Sequence, residues 1–169
     1  IFILKKMFVN FNDLNKNSKV WVFQSSSEIP ESLLDHISND SKDFLDQLNS
    51  HGNKLKSSFK IIYNHFLIIA VENIQNEISG CSIDTIIRFV KNLELEYNLS
   101  FFDRLIVKFK EKNNIKSTSL NEFKSICKTK KIVDDITVFN NLVKNINELE
   151  NIWETNIHNS WLKRFLDDE

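Results

Sequence analysis

The chain has almost nothing from which to build a glycine-lined loop. Its 169 residues include two glycines, Gly52 and Gly80, and one proline, Pro30. Glycine reaches φ > 0 without steric cost and lets a backbone approach a ligand closely. A phosphate-cradling P-loop needs Gly-x-x-x-x-Gly-Lys-[Ser/Thr], and neither glycine is followed by Lys-Ser or Lys-Thr. The three close glycines of a dinucleotide fingerprint and a Gly-x-Ser-x-Gly nucleophile elbow are excluded on the same ground. So are collagen-like and linker-rich architectures.

Composition narrows the class further. With 41% hydrophobic and 27% charged residues and a net charge of -1, the chain reads as one soluble globular domain. A chain of this length buries about two thirds of its unfolded surface and needs no disulfide or metal staple. The balanced charge argues against nucleic acid and membrane surfaces, since phosphate attraction needs a clustered positive excess. Two cysteines, Cys81 and Cys127, are too few for a disulfide framework, so a reducing cytoplasm is the expected setting. No window approaches the ~18 consecutive apolar residues of a spanning helix, so no membrane insertion is expected. His36, His51, His65 and His158 share no ligand spacing, and no metal site or cofactor is expected. Residues 1–6 precede Met7 and read as an upstream start extension.

Periodicity supplies the elements. Val20-Trp21-Val22-Phe23 is β-branched and aromatic and runs into Ser25-Ser26-Ser27, a strand ending in a turn. Pro30 suits a first helical position, and a helix is expected over 30–49, with a break near Ser38-Asn39-Asp40, closed by His51-Gly52. Residues 59–63 and 66–72 read as two strands of a hairpin with Asn64-His65 as the spacer. Ser82 is expected to cap a helix over 83–97, whose apolar face is Ile83, Ile86, Ile87, Val90, Leu93 and Tyr97. Residues 105–109 form a fourth strand. The order strand, helix, strand, strand, helix, strand is the split βαβ, or ferredoxin-like, pattern. The expected fold is therefore α+β: a four-stranded antiparallel sheet of ferredoxin-like order (core 18–112) with a helical C-terminal extension over 117–166, all in one domain over 7–169. Within the extension, Leu120, Phe123 and Cys127 mark a short helix, and 137–153 a longer one.

Several stretches carry a family resemblance: Met7-Phe8-Val9-Asn10-Phe11, Val20 to Ser25, His51-Gly52, Ser79-Gly80-Cys81-Ser82-Ile83-Asp84, Phe102-Asp103-Arg104, Phe139-Asn140-Asn141-Leu142-Val143, and Ser160-Trp161 with Arg164-Phe165. Over nearly all of 7–165 the chain resembles a family of small Bacteroidetes proteins whose members commonly carry the label "ABC transporter ATPase". The missing P-loop gives that label no support in the residues. The chain departs from the family pattern at Leu48, where a Trp is expected, at Glu72-Asn73, in place of Asp-Glu, and at Leu162, in place of His.

The ferredoxin-like order would bring the His51-Gly52 and 79–84 loops to one rim of the sheet. There Cys81, just before a helix N-terminus that favours a thiolate, could use His51 as base with Asp84 as orienter. The alternative is a small buried cysteine, with Gly80 permitting the turn and Ser82 and Asp84 capping. The same helix start, with Ser82, could hold an anion on its amides. At the opposite rim, Gln24-Ser25 and Asp103-Arg104 could line a polar pocket, or form an ordinary turn with exposed ion pairing. Trp153, Trp161 and Phe165 read as docking a terminal helix, or else as a partner-binding stripe. Lys108, Lys110, Lys112 and Lys116 read as the solvated face of a strand. The expected function is a non-enzymatic module binding a protein partner or small ligand. A thiol-dependent enzyme using Cys81 and His51 is the alternative, and ATP hydrolysis comes last.

Overall fold

A computed structural model gives the architecture; it describes residues 7–50, 53–72, 80–129 and 136–166. The strand β1 (Lys19–Gln24) leads into helix α1 (Glu31–Gln47), a two-stranded ribbon β2 (Asn49–Ser50) and β3 (Asn53–Lys54), and the hairpin β4 (Ser57–Ile62) and β5 (Phe66–Val71). Helix α2 (Gly80–Tyr97) follows, then the hairpin β6 (Ile106–Glu111) and β7 (Asn114–Ser119), helix α3 (Leu120–Lys128), β8 (Thr137–Phe139), α4 (Ile146–Ile152) and β9 (Glu154–Asn156). Short 3-10 turns over Ile157–Asn159 and Trp161–Phe165 end the described chain.

The most apolar run of the sequence becomes the centre of the molecule. All six residues of β5 are buried, which is possible only where both faces of a strand are covered. Leu67, Ile69 and Val71 pack on Ile37 and Leu45 of α1 and on Ile86, Val90 and Leu93 of α2. Phe66, Ile68 and Ala70 face the other way, onto Phe139, Ile146, Leu149 and Trp153. Each large side chain so buried contributes about 1.5–3 kcal/mol. A third cluster joins Val107 and Phe109 of β6 to Phe123 and Cys127 of α3 and to Ile157, Leu162 and Phe165 near the C-terminal end.

The fold is α+β with antiparallel sheets, one of them four-stranded. Its strands are not the four that the sequence suggests. The first sheet has the order β1-β5-β4, which is the split βαβ arrangement, with β5 antiparallel to both neighbours. The fourth strand, β6, does not complete it and instead enters a second sheet of order β7-β6-β8-β9. Two local facts account for this. Part of the outer edge of β1 is taken by the segment before α4, through Val20 N–H to Lys144 O at 3.1 Å and an antiparallel bridge between Lys19 and Asn145. Meanwhile β6 acquires a hairpin partner of its own in β7, turning at Lys112, which sits at φ 56°.

The C-terminal extension is correspondingly not all helical: α3 and α4 share it with the 3-10 turns and with β7, β8 and β9. The expected helix over 137–153 is a strand, a turn and the short α4. Asn140-Asn141 interrupts the pattern, and Asn145 restarts it as an N-cap, its side chain accepting Glu148 N–H at 2.9 Å. Helix α1 runs without the break expected near Ser38-Asn39-Asp40, because Ser41 and Leu45 are buried in register with Ile37. Pro30 stands at its cap rather than at its first helical position. The hairpin turn of β4 and β5 centres on Tyr63 and Asn64, both at φ 56°, as in the type I′ turns whose twist suits a hairpin.

Candidate functional site

Where β1 and β6 fail to pair, a cleft of about 490 Å³ opens. Its walls come from four parts of the chain: Val22 to Gln24 of β1, Phe101 to Arg104 with Ile106 to Lys108, Phe139 to Leu142, and Trp161-Leu162. Three of the sequence-selected residues, Gln24, Asp103 and Arg104, do converge here. Ser25 does not line the cleft; it is fully buried, its N–H donating to His65 O at 2.8 Å. Phe102, Leu142 and Trp161 are exposed by 38%, 77% and 49% while lining the cleft. Large apolar side chains left in water around a concavity are the usual mark of a binding site.

A chain of side-chain amides braces the cleft. The Trp153 indole N–H donates to Asn141 Oδ1 at 3.1 Å, Asn141 Nδ2 donates to Gln24 Oε1 at 3.0 Å, and Gln24 Nε2 donates to Ile106 O at 3.0 Å. Gln24 thus spans the gap between β1 and β6, its side chain doing what a strand ladder would have done. Asp103 Oδ1 accepts Leu105 N–H at 2.8 Å, forming its own turn. Lys91 lies over the Phe102 ring at 5.8 Å, and Arg164 over the Trp161 ring at 4.9 Å. Trp153 and Phe165 are buried, as docking requires, whereas Trp161 is half exposed.

One lining residue of this cleft, Lys108, is a buried lysine that sequence reading misplaces, paired with His65 behind the wall. Lys108 is only 2% exposed, not solvated. Its ammonium donates to Ser26 O at 3.3 Å, to His65 Nδ1 at 3.0 Å and to Ser117 Oγ. Burial pushes its pKa down to about 8, against a weaker opposing pull from Glu28. Burial, then the Lys108 charge, also lowers His65. Lys110 is tied to Glu154 at 2.7 Å, which holds its pKa up. The signal that could have exposed Lys108 was its place between Val107 and Phe109 in a strand covered on both faces; simple alternation hid it.

At the other rim, Gly80 and Cys81 lie inside the first turn of α2 rather than before it, and Ser82 is a buried helical residue, not the N-cap. Ser82 Oγ donates to Asn49 O at 3.2 Å, so the start of α2 touches β2. Asp84 is exposed. His51 and Gly52 lie outside the described residues, as does the side chain of Cys81. Cys127 is buried, and burial raises its pKa. Among the described residues no cluster of His, Cys, Asp and Glu could hold a metal ion, and no helix is long and apolar enough to cross a membrane.

No family model matches the chain, and neither a curated protein nor a solved structure shows significant similarity to it.

Proposed function

We propose that the protein is a non-enzymatic, partner- or ligand-binding module of the cytoplasm, and that the cleft between β1 and β6 is its binding site. One observation carries this reading: the exposed Phe102, Leu142 and Trp161 gather on a concavity whose polar groups Gln24 and Asn141 are already held rigid by an internal hydrogen-bond chain. Preorganised polar groups among apolar walls bind without the entropic cost of ordering them. Membership of the small Bacteroidetes family belongs to the same proposal. ATP hydrolysis is the least supported activity, because two isolated glycines supply no triphosphate cradle.

The test is a fragment screen followed by amide chemical shifts of 15N-labelled protein. Hits are expected to move the side-chain amide resonances of Gln24 and Asn141 and the Trp161 indole. Trp161→Ala is expected to weaken them about tenfold while leaving the unfolding midpoint in place, since Trp161 is half exposed. Hits that map elsewhere, or none at millimolar concentration, would remove the proposal.

A second reading is thiol chemistry at Cys81 with His51. It is supported by the Ser82–Asn49 contact, because Asn49 belongs to the strand that leads in sequence to His51. The rate of alkylation of Cys81 against pH tests it, with buried Cys127 as the slow internal reference. A Cys81 pKa at or above that of free cysteine ends that reading.

A further inference from the structure

The structure assigns a ligand class to the cleft between β1 and β6: a small molecule with an apolar body and one carboxylate. This rests on the proposed binding role of that cleft and goes further by reading the polarity of its walls. The orientation of each bracing amide is forced by its neighbours. Trp153 Nε1 can only donate, so Asn141 must present Oδ1 to it. Ile106 O can only accept, so Gln24 must present Nε2. The Asn141 Nδ2 to Gln24 Oε1 bond between them fits both constraints. Each amide therefore spends its carbonyl internally and keeps one further N–H.

Asn140 repeats the pattern. Its Oδ1 accepts Leu142 N–H at 3.3 Å, which leaves its Nδ2 to donate. Asp103 commits Oδ1 to the Leu105 N–H of its own turn. Arg104, an exposed residue of the lining, forms no ion pair among the described residues. The cleft is thus lined by the spare amide N–H groups of Gln24, Asn140 and Asn141, and among its described charged residues Arg104 and Lys108 outweigh Asp103, whose Oδ2 remains an acceptor; further cations lie over Phe102 and Trp161 at its rim. A ligand that completes the amide bonds brings acceptor oxygens, the excess of cations over the one Asp103 carboxylate favours negative charge, and a planar carboxylate suits a guanidinium beside amide N–H groups. Phe102, Leu142 and Trp161 supply the apolar contact for the rest of the molecule.

The experiment titrates 15N-labelled protein with a panel of aryl- and alkylcarboxylic acids from phenylacetate to octanoate. Each acid is paired with its neutral primary amide, and a hydrophobic dipeptide is added with a free and with an amidated C-terminus. The acids are expected to shift the side-chain amide resonances of Gln24, Asn140 and Asn141 and to bind at least tenfold more tightly than their amides. Arg104→Met, at an exposed position, is expected to remove most of that preference without altering the spectrum of the free protein elsewhere. Binding of the free-terminus dipeptide alone would identify a peptide C-terminus, rather than a free acid, as the source of the carboxylate. Amides that bind as well as acids, or a preference that survives Arg104→Met, would overturn the assignment and leave the cleft as a neutral site. Absence of any shift in the cleft with acids and amides alike would overturn the binding role as well.

Discussion

Lys108 is the residue whose environment most directly sets a measurable property of the protein. Below about pH 8 its buried ammonium is charged in both the folded and the unfolded chain, and the folded state carries the full cost of desolvating it. Between about pH 8 and the ordinary lysine value of 10.5, the unfolded chain retains a proton that the native state has released. Stability therefore rises with pH across that window. His65 acts in the same direction at lower pH: its folded pKa lies below 6.5, so stability falls as pH drops from 6.5 through the folded value. Urea unfolding at pH 7 and pH 9.5 is expected to show wild type more stable at the higher pH. Lys108→Met, which replaces a buried charge by an apolar chain of similar length, is expected to gain about 1–4 kcal/mol at pH 7 and to flatten the difference. A loss of stability at pH 7 would mean that the bonds to Ser26, His65 and Ser117 outweigh desolvation. The opposite sign belongs to Asn141. Asn141→Ala leaves the buried Trp153 N–H and Gln24 Oε1 without their partner, at an expected cost of about 1–3 kcal/mol. The same urea transitions measure it.

At the scale of elements, side-chain caps set where the short C-terminal helices begin. Asn145 both caps α4 and bridges to Lys19 of β1. Asn145→Ala is expected to cost about 0.5–2 kcal/mol in urea unfolding; no change would place the start of α4 under the control of tertiary packing alone. Helix α3 begins at a reciprocal capping box of Ser119 and Glu122, and its Phe123 is fully buried against Phe109, ring centroids 5.4 Å apart. Phe123→Ala is expected to cost about 3–5 kcal/mol, which would mark the second sheet as integral to the fold. The spacing of Leu120, Phe123 and Cys127 made α3 legible. The same kind of spacing across 137–153 misled, because Val138 and Phe139 are buried as a strand and Ile146 and Leu149 as a helix, with Asn140, Asn141 and Asn145 between them. Periodicity counts apolar positions and is blind to the break that a side-chain cap imposes.

For the whole molecule, the second core cluster decides whether two sheets make one cooperative unit. Val20, Phe66, Ile68 and Ala70 of the first sheet pack there with Phe139 of β8 and with Trp153 at the end of α4. Thermal unfolding followed by far-UV circular dichroism and by indole emission is therefore expected to give coincident midpoints; two separated transitions would divide the chain into independently folding halves. Local chemistry alone determined much of this protein: the missing P-loop and dinucleotide motifs, the all-apolar β5, and helices α1, α2 and α3. Those features depend on residues close together in the chain, whose propensity and spacing act before any distant contact forms. The partner of β6 was beyond such reading. A strand exposes hydrogen-bonding edges that many strands can satisfy, and here residues 144–145 reached part of β1's edge while β7 lay one tight turn from β6. That competition between edges opened the cleft, drew Gln24 across it and buried Lys108 beside His65, because long-range packing, not local sequence, chooses which edge is covered.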